Sequence, residues 1–182
     1  MVFIGYAMMQ PLPIGGFEWV PHNEMQSIVD KLHLPEDNPD HIKDDAKVGY
    51  ILEVDLAYPS CIHQRHNDLP LAPQKVKILR SMLSEYCGSF DNNDFVSTEK
   101  LVPNLFDKTK YVLHYRNLKL YLELGMVLTK THQILQFRQE KWMASYIDLN
   151  TELRKEAKSE FEKNFFKLAN NAVYGLSWLL LF

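Results

Sequence analysis

Val48-Gly-Tyr-Ile-Leu-Glu-Val-Asp-Leu56, closed by Ala57-Tyr58-Pro59, is the stretch on which the fold turns. It is rich in β-branched and aromatic residues, and Pro59 lacks the N–H that a longer strand needs, so the pattern predicts a strand that stops at Tyr58-Pro59. Upstream, Met25, Ile28, Val29 and Leu32 recur at helical spacing and predict a helix over 23–32, with a Pro/Asp-rich loop at 35–45. Downstream, residues 60–75 read as loop. Val76, Leu79, Met82, Leu83 and Tyr86 then predict a helix over 75–86, and 88–100 a polar connection. Strands are expected over 111–115 and 127–137, with a short helix at 117–124 between them, stopped by Gly125. Residues 142–174, a run of 33 without proline or glycine, are helical in character and long enough for two helices. The fold class that follows is α+β.

The chain has 182 residues, 46% hydrophobic and 24% charged, which suits one domain with a sizeable core or one piece of a larger protein. A disordered chain is excluded by this apolar and aromatic content. Residues 1–91 carry 7 Lys+Arg and 13 Asp+Glu, residues 92–182 carry 13 and 10, so an acidic first half precedes a basic second half. That asymmetry suits a metal-and-phosphate site, and surface drift explains it equally well. Two cysteines, Cys61 and Cys87, are too few for a secreted disulfide framework and point to a reducing, intracellular compartment. Cys87 and the Met8-Met9 pair read as core. The apolar start is interrupted by Gln10, Pro11, Pro13, Gly15, Gly16 and Glu18 and has no basic lead, so neither a signal peptide nor a membrane span is expected. The apolar run 176–182 reads as a core element cut short.

The most specific motif lies on the helical arm: Lys167-Leu-Ala-Asn-Asn171-Ala172-Val-Tyr174-Gly175. Lys167, Asn171 and Tyr174 fall at i, i+4 and i+7, so all three project from one helix face. A lysine so placed can neutralise a triphosphate, while the tyrosine offers an aromatic edge to a base pair. An ordinary amphipathic helix with one exposed lysine is the competing reading. The stretch resembles the fingers motif of family B DNA polymerases, Lys, three residues, Asn-Ser, one residue, Tyr-Gly. Ala172 stands where serine is usual, and Leu176 where a basic residue often follows.

Lys163 and Lys155 lie four and twelve residues before Lys167, offsets at which protein-primed members of that family place basic residues against the incoming nucleotide. Read from the residues alone, Arg154, Lys155, Lys158 and Lys163 alternate with Glu152, Glu156, Glu160 and Glu162 as a solvated helix face, with Lys158 and Glu162 spaced to pair. The strand motif Glu53-Val-Asp55-Leu-Ala-Tyr58-Pro59 is similar to the family's palm motif, an aspartate followed by Ser-Leu-Tyr-Pro. There the aspartate stands five residues before the tyrosine; here that position holds Glu53, and Asp55 is three before. Two apart on a strand, Glu53 and Asp55 share a face and could both reach one metal. Asp55 is the favoured ligand with Glu53 as its partner; a strand-end carboxylate facing water is the alternative. The stretches Val54-Asp-Leu-Ala-Tyr-Pro59, His66-Asn-Asp-Leu-Pro-Leu-Ala-Pro73, His114-Tyr-Arg-Asn-Leu118 and Tyr146-Ile-Asp-Leu-Asn-Thr-Glu-Leu-Arg154 resemble polymerase genes of large DNA transposons and related viruses, from about residue 8 onward.

The resemblance implies a partial polymerase palm, an antiparallel sheet, with an inserted subdomain and an α-helical fingers hairpin. It divides the chain into a lead-in (1–47), palm (48–87), insertion (88–137) and fingers (138–182). It implies DNA-directed DNA polymerase activity, with Mg²⁺ on Asp55 and Glu53 as catalytic carboxylates and Tyr58 gating the sugar. Lys155, Lys163 and Lys167 would hold the triphosphate, and Asn171 and Tyr174 would shape the base-pair pocket. Implied partners are template-primer DNA, dNTP and a terminal priming protein, with no membrane; the nucleus is one compartment that fits. The family's second acidic motif, Asp-Thr-Asp, does not occur in the seven residues after Gly175, and the thumb and exonuclease are also missing, so a fragment inactive by itself is expected. A non-catalytic relic or repurposed nucleic-acid-binding module is the alternative. His63, His66 and Asp68, near Cys61, raise a separate zinc or nuclease reading.

Overall fold

The computed structural model describes residues 2–89 and 96–179, with side chains described except at 2–4, 88 and 174–179. The helices are α1 (Val2–Met8), α2 (His22–His33), α3 (His63–His66), α4 (Glu85–Ser89), α5 (Tyr115–Glu123), α6 (Ala144–Glu156) and α7 (Glu160–Leu179). The strands are β1 (Leu12–Trp19), β2 (Val48–Ala57), β3 (Gln74–Lys77), β4 (Glu99–Val102), β5 (Lys108–His114) and β6 (Val127–Glu140). The fold is mixed α+β. β1, β6, β2 and β5 hydrogen-bond in that order in an antiparallel sheet, and β3 with β4 forms a separate ribbon. The chain divides into two compact units, residues 1–50 with 135–182, and residues 51–134.

In the first unit, α2 buries Met25, Val29 and Leu32, the stripe its spacing predicts. β1 pairs with the end of β6 from Leu12↔Glu140 to Trp19↔Leu135, and the register shifts around Gly15 and Gly16, both at positive φ. Phe17 packs on Phe137 at 5.8 Å between ring centroids. Gly49 belongs where it is because a Cβ there would stand 2.5 Å from Gln139 Oε1 and 2.6 Å from the buried Phe137 ring. Gln139 in turn ties the 46–47 backbone down, its N–H to Lys47 O at 2.9 Å and its side-chain amide to Ala46 O at 2.7 Å. A second small core joins Met8 of α1 to Met143 and Ile147, flanked by Met9, Leu12 and Val173.

The 33-residue helical run is two helices, broken at 157–159. The break is a capping box. Ser159 Oγ accepts the Glu162 N–H at 3.1 Å, and Glu162 Oε2 accepts the N–H groups of Lys158 and Ser159 at 3.0 and 3.1 Å. These backbone donors hold the Glu162 carboxyl below the usual carboxylate range. The expected Lys158–Glu162 pairing is thus made by the lysine's backbone.

In the second unit, β2 alternates buried Leu52, Val54 and Leu56 with half-buried Glu53 and Asp55. It pairs with β5, which starts at Lys108 and ends where Tyr115 opens α5. Leu113, Tyr115, Leu118, Met126 and Ile134 complete the core. Gly125 ends α5 as predicted: its N–H reaches Leu122 O at 3.0 Å and that of Met126 reaches Tyr121 O at 2.9 Å, with Gly125 at φ +102.

The helix expected over 75–86 does not form. Residues 74–77 pair with 99–102 as β3–β4, and a 3₁₀ turn at Arg80–Met82 precedes α4. Leu79, Met82 and Tyr86 are all exposed, so the apolar stripe has no surface to bury against, and strand pairing prevails. Cys87 is likewise exposed, not core; Met8 is buried and Met9 partly so. For the apolar run 176–182, the backbone is helical to Leu179, while its side chains and residues 180–182 lie outside the described ones.

Candidate functional site

The expected site residues fall in both units. Glu53, Asp55 and Tyr58 belong to the second; Lys155, Lys163, Lys167 and Asn171 belong to the first. Tyr174 lies on α7, but its side chain is outside the described residues.

Asp55 shares a strand face with Glu53, as their spacing predicts, and is closely engaged by neighbouring groups. Opposite it, β5 carries a bulge: Val54 faces Tyr111 and Leu56 faces Lys108, so two residues, Thr109 and Lys110, oppose Asp55. Lys110 sits at φ +50, and its N–H donates to Asp55 Oδ1 at 2.7 Å. The same oxygen accepts from His132 Nε2 on β6 at 2.8 Å. An ionised carboxylate only accepts, so His132 carries its proton on Nε2. Thr129 Oγ1 closes the group with a bond to Asp55 O at 3.1 Å. The Lys110 N–H first, then His132, holds the Asp55 carboxyl below the usual range, so it is anionic at neutral pH.

Mg²⁺ sites use one or two carboxylates together with substrate phosphates and water. Asp55 and Glu53, two carboxylates on one strand face, fit that donor chemistry, and the Lys110 N–H and His132 both engage Asp55 Oδ1 rather than Oδ2. Among the described residues, no group of three or more His, Cys, Asp or Glu side chains is placed to hold a metal ion.

Tyr58 is 4% exposed and turned into the second unit. Its N–H donates to Asp107 Oδ1 at 2.7 Å, its carbonyl meets His63 Nε2 at 2.9 Å, and its hydroxyl lies 2.8 Å from His66 Nδ1 and accepts the Leu71 N–H at 3.2 Å. His63 and His66 therefore close on this tyrosine, their rings edge-on to it, while Asp68 is exposed. Zinc on His63, His66 and Asp68 is set aside on that geometry. Lys108, 1% exposed, places Nζ 5.9 Å from the centre of the Tyr58 ring and bonds Asn104 through both its backbone and side-chain oxygens. Burial pushes the Lys108 ammonium down, partly offset by Asp107.

On α7, Lys167 and Asn171 line one open cleft of about 440 Å³, together with Asn170, and with Thr151 and Arg154 of α6. Tyr6, Met8 and Met9 of the α1 segment and Ile147 supply its apolar wall. Lys155 and Lys163 are not among the lining residues; Lys163 Nζ instead bonds Glu160 Oε1 at 3.1 Å. Neither the Lys167 nor the Arg154 side chain makes a hydrogen bond or ion pair with another described residue.

Sequence reasoning passed over Arg154, His132 and Lys108 as site residues. Arg154 is three residues after Thr151 and seven after Ile147, the same helix face, and that spacing was a usable signal. His132 and Lys108 reach their partners only through strand pairing, which periodicity does not reveal. Among the described residues, no helix is long and apolar enough to cross a membrane. Compared with known proteins, the chain matches no family model, no curated protein and no solved structure.

Proposed function

We propose that this chain is part of a DNA-directed DNA polymerase of the protein-primed family B type, with β1, β6, β2 and β5 as its palm sheet and α6–α7 as its fingers hairpin. The observation that carries the reading is that Lys167 and Asn171, both motif residues, line one cleft, and that the lysine side chain has no partner among the described residues. A charge that the fold does not use is available to a phosphate. In this reading Lys167 neutralises the triphosphate of an incoming dNTP, Asn171 and Tyr174 border the nascent pair, and template-primer DNA and a priming protein are the macromolecular partners. Asp55, with Glu53 beside it, would hold Mg²⁺. The metal's chemistry would be to stabilise charge on the transferring phosphate, and it needs a further carboxylate on the other side of the pair. Asp-Thr-Asp is the family's source of that carboxylate, so the 182-residue chain by itself is expected not to extend a primer.

A specific observation favours a second reading, a non-catalytic nucleic-acid-binding module. Asp55 Oδ1 already caps the β5 bulge and holds His132, which is a complete structural role for a strand carboxylate. Primer extension separates the two readings. The chain, joined to a segment carrying the Asp-Thr-Asp hairpin, is assayed with Mg²⁺ and with Mn²⁺. The polymerase reading expects template-directed products that vanish in Asp55→Ala and a dNTP requirement that rises sharply in Lys167→Ala with DNA binding little changed. Duplex binding without extension, weakened alike by both salt and Lys167→Ala, supports the module.

A further inference from the structure

The cleft on α7 holds more than the motif residues. Ile147, Thr151 and Arg154 bring one face of α6 to it, and Lys167, Asn170 and Asn171 one face of α7. Two cations, Arg154 and Lys167, thus border the same space, and neither is neutralised by a described carboxylate. Asn170 adds a third feature: its Oδ1 is buried and has no hydrogen-bond partner among the described residues. An unpaired buried acceptor costs free energy that a ligand's N–H or O–H would recover. The opposite wall is apolar, built from Met8 and Met9 over the small core of Met143 and Ile147.

We propose that this cleft binds a nucleoside phosphate, with Arg154 as the second phosphate-binding cation beside Lys167, Asn170 accepting from a base N–H, and the methionine wall against the flat face of the base. The inference rests on the nucleotide reading above for the choice of ligand class, and it moves the second cation from Lys155 and Lys163 to Arg154. Each part of the cleft answers one part of such a ligand. The guanidinium meets phosphate oxygens in pairs, and methionine packs adaptably on an aromatic face. A fatty acid would satisfy the apolar wall and one cation but leave Asn170 Oδ1 unpaired; inorganic phosphate would leave the wall bare.

The test is isothermal titration of the full chain with dATP, sodium tripolyphosphate and deoxyadenosine, without primer or template. dATP is expected to bind more tightly than either part. Arg154→Ala and Lys167→Ala are each expected to weaken dATP and tripolyphosphate roughly tenfold, about 1.4 kcal/mol, and to leave deoxyadenosine unchanged. Arg154→Lys should recover part of the loss, and Lys158→Ala, exposed on the 157–159 break, should change nothing. Asn170→Ala should weaken dATP and deoxyadenosine but not tripolyphosphate. Absence of dATP binding, tripolyphosphate binding as tight as dATP, or a larger loss at Lys155→Ala than at Arg154→Ala overturns the proposal. Because no DNA is present, failure of primer extension leaves this result standing, and failure here leaves the Asp55 reading to its own assay.

Discussion

The charged residues singled out in the two units are held in contrasting ways. In the second, Asp55, Lys108 and Asp107 are closed into the fold: a carboxylate on a bulge N–H and a histidine, a buried ammonium on Asn104 over a tyrosine ring, a second carboxylate on the Tyr58 N–H. In the first, Arg154 and Lys167 line an open cleft with no described partner. A charge satisfied by the fold contributes to stability and is costly to remove; a charge left free contributes little to stability and is available to a ligand. Motif spacing alone does not separate the two kinds. Sequence patterns single out both Asp55 and Lys167, yet among the described residues only the Lys167 side chain is unengaged.

The sharpest way to break this contrast is Lys108→Ala. It removes two hydrogen bonds and a cation over a ring and opens a cavity, so urea unfolding should show a loss of about 2–4 kcal/mol. A loss within the range of surface substitutions would mean the second unit does not depend on its buried charge. Asp55→Ala comes next, with a smaller fall in the unfolding midpoint, because the Lys110 N–H loses its acceptor. Its pH dependence has a definite sign. The folded-state value is lowered, so the stabilisation is complete above the ordinary carboxylate value of about 3.9 and is lost as pH falls through the lowered one. Denaturation curves between neutral pH and about pH 2 should therefore flatten on the acid side in Asp55→Ala, with Glu162 accounting for part of what remains.

Ser159→Ala tests a link inside the first unit. It removes the acceptor for the Glu162 N–H at the start of α7 and should cost about 1 kcal/mol, visible as faster amide exchange in the first turn. Smallest of all are Arg154→Ala and Lys167→Ala, each expected to change stability by no more than about 0.5 kcal/mol. If either proved as destabilising as Lys108→Ala, the cleft cations would be structural after all, and both proposals for the cleft would lose their footing.

Local sequence determined a good deal. The β2 strand, α2 with its buried stripe, the stop of α5 at Gly125 and the division of the last helical run into two helices were all legible, because each rests on periodicity, on the length of a run or on a residue with a fixed conformational preference. The shared face of Glu53 and Asp55 and that of Lys167 and Asn171 were legible for the same reason. Where the outcome depended on residues far apart in the chain, the sequence was silent or misleading. Residues 74–77 carry a helical stripe but pair with 99–102, since a stripe forms a helix only when something covers it. His132 finds Asp55 across 77 positions and Tyr58 finds Asp107 across 49, through pairings that no spacing rule encodes. Which charges are buried and which are left to solvent is set by the surfaces that close around them. That choice, made by tertiary packing, separates the buried Lys108 from Lys167 in its open cleft.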